Sequence, residues 1–81
     1  MLYKIIEITI QKKRVIMISY ELLRAKLAAD NIKKKDLMKR TGISVATMSK
    51  IKNDKYVSLE VIERVCKDLD CNIGEIIIFK S

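Results

Sequence analysis

The run Thr41-Gly42-Ile43-Ser44 separates two short stretches that both read as helix, and it leaves the backbone little freedom. A tight turn between two helices needs a residue with positive φ, which Gly42 adopts without steric cost. Ser44 can then restart the backbone as an N-cap, its side-chain oxygen accepting from an otherwise unpaired amide of the first turn. Ile43, the apolar residue between them, is placed to plug the junction from inside. Leu37 and Met38 supply the apolar side of the first helix, and Met48 and Ile51 that of the second. The sequence therefore predicts helices over 34–41 and from Val45 to about Asn53, joined by a sharp turn.

The outer side of the second helix is unusual. It carries Ser44, Val45, Ala46, Thr47, Ser49, Lys50 and Asn53, mostly small or polar and with no acid among them. A merely solvated helix face would carry long side chains of both signs. A face of short side chains beside lysines lets a helix approach another surface closely, and the DNA major groove admits one helix. Charge points the same way. The chain has a formal net charge of +7. Residues 33–55 hold Lys33, Lys34, Lys35, Lys39, Arg40, Lys50, Lys52 and Lys55 against Asp36 and Asp54. Residues 56–81 lean acidic. A positive field centred on one short segment suits a polyanionic partner.

Other classes find little support. The chain has no histidine, and its acids are scattered without a paired constellation, so catalysis has no visible equipment. Cys66 and Cys71 are too few for a zinc site and read as packing residues. No cofactor or metal is expected. The longest apolar run, "IGEIII", is too short for a membrane span, and the N-terminus lacks the pattern of a signal peptide, which places the chain in the cytoplasm.

On either side of the turn the pattern predicts more helix and a little strand. Ser19 is placed to cap a helix from Tyr20 to about Asp30, with Leu22, Leu23, Leu27 and Ala28 as its apolar stripe. Ser58 is placed to cap another from Leu59 to about Leu69, burying Leu59, Ile62, Val65, Cys66 and Leu69. Asn72 can cap a fifth, short turn from Ile73 that leads into the last strand. "YKIIEITI" and "RVIMIS" are β-branched runs separated by a polar break, which suggests a hairpin. The C-terminal "EIIIFK" is expected to pair with this N-terminal element, within one chain or across a dimer. Residues 1–16 have a second reading. Met17 opens "MISYELL", a natural start for the domain, so the preceding sixteen residues are also candidates for a translated leader in an over-long gene model.

At this point the chain resembles a family. "KKKDLMKRTGISVATMSKIKNDKYVSLEVIERVCKDL", Lys33 to Leu69, is similar to the helix-turn-helix core of the Cro/CI-type (Xre-like) bacterial and phage transcriptional regulators, with "TGIS", Thr47 and "SK" as the most specific part. The likeness extends over roughly residues 17 to 79. It implies a mostly α, five-helix, lambda-repressor-like domain over 17–81, to which the residue pattern adds a small β element from the terminal strands; the N-terminal β extension or hairpin over 1–16 has no counterpart in the family's core. It further implies a double-stranded DNA-binding regulator, a repressor working as a homodimer. Helix 34–41 would cross the DNA backbone, and helix 45–53 would enter the major groove. Ser44, Val45, Ala46, Ser49 and Lys50 take the family's base-facing positions. Lys34, Thr47, Lys52, Asn53 and Lys55 take those that touch phosphate. Two positions depart from the family pattern: Met38 stands where a small residue is usual, and Lys34 where a glutamine commonly braces the recognition helix. Tyr56 is expected to pack between helices 45–53 and 59–69. The rival reading is an antitoxin-like or adaptor module that docks a protein partner on its terminal strands.

Overall fold

The computed structural model describes residues 16–81. Among the described residues the fold has four α-helices and a two-stranded antiparallel sheet. Strand β1 (Met17–Ser19) leads into α1 (Glu21–Ala29), α2 (Lys34–Thr41), α3 (Val45–Lys52) and α4 (Leu59–Leu69). A single 3-10 turn (Ile73–Glu75) then leads into strand β2 (Ile78–Lys80). The expected fifth helix is therefore one turn. Asn72 and Glu75 form a reciprocal capping box around it, with the Asn72 amide donating to Glu75 Oε2 at 2.6 Å. After Ile76 the chain must extend to reach β1, so the helix cannot grow.

The strands pair within one chain, with Met17 opposite Lys80, Ile18 opposite Phe79 and Ser19 opposite Ile78. The second run of the expected hairpin thus supplies β1. The first run, Tyr3 to Ile10, lies outside the described residues. A Lys80–Glu21 ion pair at 2.8 Å crosses the rim of this sheet.

The core is one cluster. Tyr20, Leu23 and Leu27 from the β1–α1 region meet Leu37 of α2, Ile43 of the turn, Met48 and Ile51 of α3, Ile62 and Val65 of α4, and Ile76. Met38 packs half-buried against it, its flexible thioether filling the place where the family pattern has a smaller side chain. Arg40 bridges α2 to Asp68 of α4 with a two-pronged contact, Nε to Oδ1 at 3.1 Å and Nη2 to Oδ2 at 3.0 Å.

Several expectations are corrected. The first helix starts one residue later than expected, because Ser19 ends β1 and Tyr20 takes the cap position. The Ser19 hydroxyl still accepts from the Glu21 amide at 3.2 Å. Ala28 is exposed, so the buried stripe of α1 narrows to Leu23 and Leu27. Leu59 is 76% exposed rather than buried: it lies in the first turn of α4, beside the exposed cap Ser58, beyond the reach of the core stripe. Tyr56 is 68% exposed instead of wedged between helices, because the α3–α4 connection carries it to the sheet side. Cys66 and Cys71 are free thiols, half-buried against the core, and burial pushes the Cys66 thiol up in pKa.

Candidate nucleic-acid interface

The turn between α2 and α3 is built as its residues dictate. Gly42 sits at φ 74°, and its amide closes α2 by donating to the Met38 carbonyl at 2.8 Å. The Thr41 hydroxyl donates back to the Leu37 carbonyl at 2.6 Å, and Ile43 is buried. Ser44 is extended and caps α3, its Oγ accepting from the Thr47 amide at 3.1 Å. The same hydroxyl donates to Thr47 Oγ1 at 3.0 Å. Ser44 and Thr47 are thus tied to each other at the tip of α3.

Every residue expected to face bases is exposed. Ser44, Val45, Ala46, Ser49 and Lys50 all lie on the open side of α3, while Met48 and Ile51 are buried on the other. Val45 is 72% exposed, a large apolar side chain held in solvent at the tip of the helix. At the far end, the Asn53 amide nitrogen donates to the Ser49 carbonyl at 2.9 Å, so Asn53 braces the last turn. Lys34, Lys52, Asn53 and Lys55 are exposed, and Thr47 is half-buried. Lys34 and Lys52 flank a shallow groove between α2 and α3, with Met38, Val45, Met48 and Ser49 along it.

Electrostatics set this face apart. Among the described residues, Lys33, Lys34, Lys35, Lys39, Lys50, Lys52 and Lys55 take part in no ion pair. The start of α2 also lacks a side-chain cap, since Lys33 occupies that position, and three lysines in succession surround it. An uncapped helix start among lysines suits an anion, against the single acid Asp36 in the same turn.

Sequence patterns did not reveal what holds the end of α3. The Tyr20 amide donates to Asp54 Oδ1 at 2.8 Å, and the Tyr20 hydroxyl donates to the Lys55 carbonyl at 2.7 Å. Arg24 donates to Asp54 Oδ1 at 3.0 Å and to the Ile51 carbonyl at 3.4 Å. Asp54 itself is left-handed, at φ 55°. Hydrogen bonds from Arg24, then from the Tyr20 amide, hold its carboxyl below the usual carboxylate range. These partners lie about thirty residues apart in the chain, beyond any local periodicity. An acid just after a helix, at a position that must turn left-handed, was the one available signal.

Two helices meeting at a glycine turn, with the second presenting an exposed, acid-free face, define a helix-turn-helix domain. The family model described as Cro/C1-type HTH DNA-binding domain matches residues 22–81. The chain belongs to this family. It is 38% identical over 48 residues to the uncharacterised HTH-type transcriptional regulator YozG of Bacillus subtilis (strain 168), an alignment covering 57% of each chain. The chain thus spans a little over half the length of that curated relative. It also matches the crystal structure of the transcriptional regulator VanUg (form II), with a TM-score of 0.77 and 32% identity, covering 80% of this chain and 87% of that one. No described helix is long and apolar enough to cross a membrane.

Proposed function

We propose that the protein is a sequence-specific, double-stranded DNA-binding transcriptional regulator that reads the major groove with α3. The observation that carries this reading is the exposed face of α3, short in side chain, free of acids and flanked by lysines that pair with nothing else described. Lys50 is suited to donate to guanine O6 or N7, and Val45 or Ala46 to meet a thymine methyl. Ser49 can donate or accept. The uncapped start of α2 with Lys34, and Thr47, Lys52, Asn53 and Lys55, are suited to phosphates, which fix register without reading sequence. Occupancy of a promoter excludes polymerase, so a DNA-binding unit of this kind acts most simply as a repressor. Symmetric half-sites one helical turn apart would match a homodimer.

The test is fluorescence anisotropy on the DNA upstream of the protein's own gene and on a scrambled duplex, across a salt series. Tight binding that survives physiological salt on the upstream DNA alone supports an autoregulating regulator. Equal weak binding to both would leave charge attraction only.

A second reading rests on the sheet. Ile18, Tyr56, Ile73, Gly74, Ile77 and Phe79 line an open, almost wholly apolar groove. Tyr56, Ile73 and Phe79 are each about half exposed or more. An apolar patch beside a short strand edge suits a protein contact. It favours either the second copy of a homodimer or the partner of an antitoxin-like module. Sedimentation across concentration separates them: self-association supports the dimer, and a monomer at all concentrations favours a foreign partner.

A further inference from the structure

The contacts of Tyr20 and Arg24 sit at one place. Together they engage the Asp54 carboxylate and the carbonyls of Ile51 and Lys55, which surround the exit of α3. The turn adds its own bonds, with the Lys55 amide donating to the Lys50 carbonyl at 2.8 Å and the Asp54 amide to the Ile51 carbonyl at 3.3 Å. Tyr20 is fully buried, and its hydroxyl reaches out of the core to the backbone of an exposed lysine. Such reach is more than packing needs, because a phenylalanine would fill the same core volume. Asp54 is also a costly choice for a left-handed position that glycine would occupy without strain. Its carboxylate makes up the difference by accepting from both Tyr20 and Arg24.

We infer that Tyr20, Arg24 and Asp54 are positioning residues for DNA binding: they pin the turn after α3 so that Lys55, with Lys52 and Asn53 beside it, meets one phosphate strand in register. None of the three need touch DNA: Tyr20 holds the Lys55 carbonyl directly, while Arg24 and Asp54 hold the turn just before it. The same pin joins the β1–α1 corner to the DNA face, so the terminal sheet and the phosphate-contacting turn behave as one body. This rests on the DNA-binding reading above.

The test is a salt series of duplex binding by the wild type, Tyr20→Phe, Lys55→Ala and the double variant, with melting curves confirming that each is folded. Each neutralised phosphate contributes about one to the slope of log affinity against log salt. Tyr20→Phe is expected to lower the slope by about as much as Lys55→Ala, and the double variant to lose nothing further. Asp54→Asn, which keeps an acceptor for the Tyr20 amide and tolerates the left-handed backbone, is expected to retain more of the slope than Asp54→Ala. An unchanged slope in Tyr20→Phe, or losses that simply add in the double variant, overturns the inference and leaves the DNA reading standing. A wild type with no salt-dependent duplex binding removes the DNA reading, and the positioning role with it.

Discussion

The outer faces of α3 and α4 are two exposed helix surfaces of the same small chain, and they are built to opposite rules. On α4, Arg64 pairs with Glu60 at 2.7 Å and Lys67 with Glu63 at 3.3 Å, each four residues apart. That is what solvation alone selects: long side chains of both signs, weakly paired along the helix. On α3, Lys50 and Lys52 stand beside serine, alanine and threonine, with no acid on the helix and, among the described residues, no ion pair to either lysine. Because one chain holds both, the acid-free face of α3 is not a general habit of this composition. Positive charge without a described partner on one face, and neutralised on another, supports the proposal that the first is the side that meets an anion.

Reversing charge on each face gives the widest separation. Lys50→Glu is expected to weaken binding to a preferred duplex by about a hundredfold or more, since a base contact is lost and an acid is set against the phosphates. Lys67→Glu on α4 is expected to leave binding within about a few-fold. Equal losses would break the contrast. Next come Lys52→Ala and Lys55→Ala, each expected to weaken all sequences alike and lower the salt slope by about one, whereas Lys50→Ala relaxes base preference. Equal loss on every sequence for all three would contradict the roles given to them.

Stability effects are smaller. Gly42→Ala is expected to cost about 1 kcal/mol, measured by denaturant melts, from the left-handed backbone alone. Beyond its chain neighbours, no described atom lies within 4 Å of the added methyl, so tertiary packing contributes nothing. Acid should act through the pin. The folded Asp54 carboxyl is held below its ordinary pKa, so its contribution is present above the unfolded value of about 4 and is lost as pH falls through the lower folded one. Asp54→Asn is expected to flatten that acid limb of the stability profile. Smallest of all is Glu63→Gln, expected to change stability by about 0.5 kcal/mol or less and DNA affinity not at all.

What the sequence made legible was local. Gly42 and Ser44 announced the turn because one residue must go left-handed and the next helix must be capped, and both demands fall on single positions. Ile62 and Val65, or Leu23 and Leu27, showed their burial through spacing. Leu59 sits in step with the same stripe, yet it is exposed, since periodicity gives a direction and not the edge of the core. Asn72 announced a short turn before the last strand, and a single 3-10 turn is what forms there; only its count as a fifth helix was too generous. Tyr20, Arg24 and Asp54 left almost no trace, because hydrogen bonds across thirty residues follow no period. At the candidate interface, the small outer face of α3 was readable. The mutual bonding of Ser44 and Thr47, and the bracing of Ser49 by Asn53, needed the coordinates.

The most direct test selects bound duplexes from a random-sequence pool at physiological salt, with the wild type and with Lys50→Ala. If α3 reads the major groove, the wild type enriches a defined motif, and Lys50→Ala loses preference at one position, a guanine, while keeping the rest. Failure of the wild type to enrich any motif, or an identical motif from both proteins, would contradict base reading by this face of α3.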